Sequence, residues 1–65
     1  MSKTYFSSWI SDNNPTVRNS IIMLLIKRIT DEAGGKKVIL KSKEKLWNDD
    51  RTLYKFKVKV EFIDV

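Results

Sequence analysis

Lys55, Lys57 and Lys59 recur at every second position of one stretch, and Lys37, Lys41, Lys43 and Lys45 keep odd-numbered places in the stretch before it. Ammonium groups at that spacing share one side of an extended chain, because successive strand side chains point to opposite faces. A row of such point charges suits phosphates. It lacks the bidentate fork with which arginine reads guanine, so binding through it would be largely independent of base sequence. Arg51 adds a cation between the two stretches. Trp9, Trp47 and Tyr5 are the aromatic residues that the core does not obviously consume; Trp47 either packs plainly over the hairpin tip or the first strand, or stacks on a base or anchors a protein partner. The predicted nucleic-acid-binding set is therefore Lys37, Lys41, Lys43, Lys45, Lys55, Lys57, Lys59, Arg51 and Trp47. The plain alternative is that the lysines solubilise an exposed sheet and discourage edge pairing.

Other chemistry finds little to attach to. The chain has no histidine and no cysteine, so metal-ligand, nucleophile and triad spacings are missing, and general-base work would fall to carboxylates or lysines. Asp49-Asp50 reads as a turn. Ala33-Gly34-Gly35-Lys36-Lys37 has a faint likeness to a phosphate loop, but it follows a helix and lacks the spacing of one; it reads as a C-cap and turn. No catalytic residue, metal or cofactor is expected.

The formal net charge of +5 is unevenly placed. Residues 36–59 hold nine Lys or Arg against Glu44, Asp49 and Asp50, a net of +6, so the second half carries the attraction for anions. The longest unbroken apolar run, Ile21 to Ile26, is six residues, where a membrane span needs about 20. No basic segment followed by an apolar one opens the chain, so the expectation is a cytoplasmic protein without a membrane partner.

The elements that must position these side chains read as strand, helix, strand, strand. Residues 3–10 are aromatic and β-prone and form a first strand, with Thr4, Phe6, Ser8 and Ile10 on one side and Tyr5, Ser7 and Trp9 on the other. Ser11-Asp12-Asn13-Asn14-Pro15 turns into a helix, Asn14 as N-cap and Pro15 at the first helical position, where its missing N–H would be unpaired anyway. The helix runs to about Ala33 and stops at Gly34, which takes the left-handed conformation at little cost. The next strand spans Lys37 to Trp47, Asn48-Asp49-Asp50-Arg51 forms a turn, and the last strand runs from Thr52 to Asp64. In that strand Tyr54, Phe56, Val58, Val60 and Phe62 make a complete apolar row, which predicts the central strand of the sheet.

The hairpin register follows from the same row. If Trp47 opposed Thr52, then Lys41, Lys43 and Lys45 would enter the apolar layer beside Val58, Phe56 and Tyr54. A shift of one residue moves them to the other face, so an odd-length loop or a bulge is expected, gathering all seven lysines opposite the core. The last strand is about 43 Å long at ~3.3 Å per residue, against about 28 Å for the helix at 1.5 Å per residue, so the distal half from Lys41 to Lys57 should project as an arm.

A single 65-residue domain buries only about 60% of its unfolded surface and gains from outside support. The helix has an apolar side (Val17, Ile21, Ile22, Leu24, Leu25, Ile26, Ile29, Ala33) covering about half its circumference, wider than the ~100° stripe that one sheet covers. Either the sheet curls and the first strand covers the rest, or a second subunit does. The expectation is a homodimer with Ile21, Ile22, Leu25, Ile26 and Ile29 at the interface. The chain is thus expected to be an α+β two-layer domain of β-α-β-β order, one long helix on a three-stranded sheet with a long basic hairpin. Its expected function is non-enzymatic binding of DNA or RNA. The rival reading is a small regulator or inhibitor of phage type, docking on a host protein through the apolar helix or the hairpin tip.

Overall fold

The computed structural model describes residues 1–11 and 13–64, so Asp12 in the predicted turn lies outside the described residues. The order is β1 (Ser2–Phe6), β2 (Ile10–Ser11), α1 (Pro15–Ala33), β3 (Lys37–Trp47) and β4 (Leu53–Ile63). The class is α+β, with four antiparallel strands in place of the three expected. Strand β4 is central as its row predicts: β1 and β2 pair along one edge and β3 along the other.

The fourth strand arises because the first one breaks. Between the pairs Phe6↔Lys57 and Ile10↔Tyr54, three residues of the first strand oppose two of β4. The Ser7 N–H donates to the Phe56 carbonyl at 2.9 Å, and the Phe56 N–H donates to Ser7 Oγ at 2.9 Å. A hydroxyl thus stands in for the missing ladder carbonyl. The extra residue changes the parity beyond it, so Tyr5 and Ile10 both face α1, and the predicted grouping of Phe6 with Ile10 is overturned. From α1, Arg28 Nη2 donates to the Phe6 carbonyl at 2.6 Å and occupies an acceptor on the open edge at the break.

The helix begins and ends where its signals put it. Asn14 Oδ1 accepts from the Val17 N–H at 3.2 Å, and Gly34 closes the helix at φ 59°, ψ 39°. Its buried positions, Leu25, Ile29 and Ala33, are four residues apart and form one stripe against Tyr5, Val58, Val60 and Phe62. Nearer the hairpin tip, Ile10 and Tyr54 are 0% and 2% exposed. Phe56 is only partly buried beside this core.

The Cα radius of gyration is 13.0 Å, against roughly 11 Å for a compact chain of this length. The length lies along the hairpin, with a longest extent of 42 Å. The hairpin is nevertheless not the free arm expected from Lys41 to Lys57, because β1 and β2 pair with β4 out to Leu53. At the tip, Asn48 Oδ1 accepts from the Thr52 and Leu53 N–H groups at 2.9 and 3.0 Å, which holds the turn closed. Among the described residues no helix is long and apolar enough to cross a membrane.

Replacing Ile10 with alanine removes the most buried side chain and should cost about 2–5 kcal/mol, seen as a large drop in the urea midpoint. Phe56→Ala should cost less, since part of that ring already meets solvent.

Candidate nucleic-acid interface

The face of each lysine depends on how β3 pairs with β4. From Lys37↔Ile63 to Leu40↔Val60 the register is the expected one, with Val38 and Leu40 on the helix side. At Lys41 an extra residue enters, and from Ser42↔Lys59 to Trp47↔Tyr54 the register has moved by one. The predicted bulge exists, but it lies within the strand, and its effect is opposite to the one expected. It turns Lys43, Lys45 and Trp47 towards the helix-side face, opposite Val58, Phe56 and Tyr54.

Charge and ring contacts supply the physical reason. An unshifted ladder would set Lys41 against Lys59, Lys43 against Lys57 and Lys45 against Lys55, and like charges directly opposite are destabilising. The bulge sets Glu44 against Lys57 and Leu46 against Lys55 instead. The displaced lysines lie over aromatic rings: Lys45 Nζ is 4.2 Å from the Tyr54 centroid and 4.7 Å from that of Trp47, and Lys43 Nζ is 5.7 Å from that of Phe56. Both lysines remain exposed, so their ammonium groups stay hydrated above the rings.

The seven-lysine face is therefore divided. Lys37, Lys41, Lys55, Lys57 and Lys59 lie on the face away from α1, with Lys41 drawn to Glu61 at 3.6 Å. Lys43, Lys45 and Trp47 lie on the other face, and Arg51, in the turn at φ 59°, leans towards Trp47 with its guanidinium carbon 5.8 Å from the ring centre. The predicted binding set does not form one surface.

On the outer face, Lys55, Lys57 and Lys59 follow the central strand at intervals of about 6.6 Å, two strand residues. Thr4 and Ser42 flank Lys59, and Phe6 and Glu44 flank Lys57. Lys55 Nζ sits 4.9 Å from the Phe6 centroid and 4.7 Å from that of Trp9. Phe6 and Trp9 are 45% and 44% exposed, and both belong to the outer cationic face. Uniform alternation separates them, with Phe6 and Trp9 on opposite sides of one strand; the signal that could have brought them together is the Ser7-Ser8 pair between two aromatics, a place where a strand readily breaks.

The shifted titrations lie away from this row. Lys3 bonds Glu32 across β1 and α1, which holds the Glu32 carboxyl below its ordinary value and raises Lys3. Asp50 is lowered by the Thr52 hydroxyl, which donates to it at 2.7 Å, and by the Thr52 N–H. Both carboxylates serve the fold.

The predicted oligomer residues also divide. Leu25 and Ile29 are buried in the chain's own core, so their stripe needs no second subunit. Ile22 and the half-exposed Ile26 line an apolar groove of about 460 Å³ between α1 and β3, with Val38 and Leu40 on its far wall. Ile21 lines a smaller hollow of about 310 Å³ beside Phe6 and Arg28. Comparison with protein-family models, with curated proteins and with solved structures finds no match to this chain.

Because Lys41 is the extra residue, deleting it should leave every other side chain on its present face. The deletion variant should melt within about 1 kcal/mol of the parent in urea, the range of a surface change. Collapse of the fold on deletion would mean that the distal hairpin pairs without a bulge.

Proposed function

We propose that the chain is a non-enzymatic nucleic-acid-binding module that uses the outer face of its sheet, with little dependence on base sequence. The observation that carries this reading is the row Lys55, Lys57 and Lys59 on the central strand, with Lys37 and Lys41 beyond it, against Glu44 and Glu61 among the described residues of the same face. A cationic strip with hydroxyl donors at Thr4 and Ser42 suits phosphates spaced along a backbone. Solubilisation alone would not require rings to be held among the cations.

Replacing Lys55, Lys57 and Lys59 together with glutamine should weaken binding to every sequence tested. It should also reduce the log–log salt slope by up to about 0.7 per lost contact on a single strand or 0.9 on duplex. Lys43→Gln with Lys45→Gln removes two cations from the other face and should do much less. Equal losses per charge from the two sets would show diffuse attraction without a site.

We also propose that the groove between α1 and β3 associates with a second copy of the chain. Leu40, Ile26 and Val38 are 59%, 50% and 39% exposed, and no strand among the described residues pairs with the outer edge of β3. The accessible surface, 4799 Å², exceeds the roughly 4,300 Å² expected for a compact monomer of this mass. Sedimentation equilibrium should show a dimer that Leu40→Lys converts to a folded monomer. A parent chain that stays monomeric at high micromolar concentration would leave the groove to a different protein.

A further inference from the structure

We infer that the nucleic acid taken by the outer face is single-stranded, with bases stacked on Phe6 and Trp9 and phosphates on Lys55, Lys57 and Lys59. The inference rests on the nucleic-acid reading above and narrows its substrate class.

It starts from the break in the first strand. The extra residue between Phe6 and Ile10 keeps Tyr5 and Ile10 in the core and leaves Phe6 on the opposite face, next to Lys57. Trp9, in the break itself, joins it across Lys55, whose ammonium lies within 5 Å of both ring centres. Both residues keep nearly half of their surface open to solvent, although burying either would add to the stability of a small domain. Duplex DNA or RNA turns its base faces inward and offers such rings nothing to stack on. A single strand offers a π-face at every base, and stacking of this kind tolerates any sequence.

The charges fit the same substrate. Lys57 and Lys59 continue in line from the Phe6–Lys55–Trp9 cluster, so a strand with bases on the rings would carry its phosphates along β4. Cation–π contact holds Lys55 between the rings in the free protein. Stacked bases would compete for the ring faces and leave its ammonium to a phosphate. Trp47 lies on the other face beside Tyr54 and takes no part.

The test is a fluorescence titration of the unmodified chain at low salt with oligothymidylate, oligouridylate and a mixed-sequence duplex of the same length. Repeating it in Trp47→Phe assigns the signal to Trp9. Both single strands should quench Trp9 to saturation and outcompete the duplex; tighter binding of one of the two would say whether DNA or RNA is preferred. Trp9→Leu and Phe6→Leu keep apolar bulk without the ring face, and each should weaken single-strand binding by roughly 5- to 150-fold, the range of one base stack, with duplex binding unchanged. Equal affinity for duplex, with no quenching and no loss in the leucine variants, would overturn the inference and leave charge-based binding standing. Failure of all three probes to bind would overturn both.

Discussion

Strand β4 alternates without interruption from Leu53 to Ile63, and its row of Tyr54, Phe56, Val58, Val60 and Phe62 faces the side of the sheet that carries α1, with Val58, Val60 and Phe62 packed against Leu25, Ile29 and Ala33. With one helix among the described residues, that row fixes which face of the sheet is inside. A one-residue slip in either neighbour would exchange that neighbour's two faces. Both neighbours meet the constraint by inserting a residue. The first strand does so at Ser7–Trp9, which brings Tyr5 and Ile10 to the same side, and β3 does so at Lys41, which brings Trp47 over Tyr54.

The two insertions produce the surface chemistry. In β3 the alternative is six lysines facing each other in three pairs across the ladder. Coulomb repulsion at a solvated surface is about 1 kcal/mol at 4 Å, comparable with the cation–π and cross-strand contacts that replace it. Several such terms act together, and the shifted register exchanges every one of them. In the first strand the insertion leaves Phe6 and Trp9 outside, where Lys55 lies between them. The basic strip and its aromatic end thus follow from the way the core is closed.

Much of the scaffold was legible in the sequence. Asn14, Pro15 and Gly34 mark the helix ends through backbone chemistry that depends only on local residues. The alternation in β4 identifies the central strand, and Asn48 to Arg51 marks the turn. The bulges were not placed: Lys41 carries no residue-type signature, the Ser7-Ser8 pair marks a place where a strand can break without fixing the parity beyond it, and each insertion is decided by partners far away in the chain. The candidate site inherits that gap. Uniform alternation gathers Lys43, Lys45 and Trp47 with Lys55 to Lys59 and puts Phe6 and Trp9 on opposite faces, whereas pairing on a common strand does the reverse. Opposite charge at Glu44 and Lys57 was the available clue, since only the shifted register sets them side by side.

The division of lysines between two faces is the central claim, and cross-strand proton contacts in solution test it most directly. Nuclear Overhauser spectra should link the Trp47 indole to the Tyr54 ring, whose centroids are 5.3 Å apart. They should also link the Lys45 side chain to both rings, and the Lys55 side chain to Phe6 and Trp9. Contacts from Leu46 to Tyr54 and from Lys45 to Lys55, with Trp47 free of Tyr54, would mean that β3 pairs without a bulge and would contradict the account.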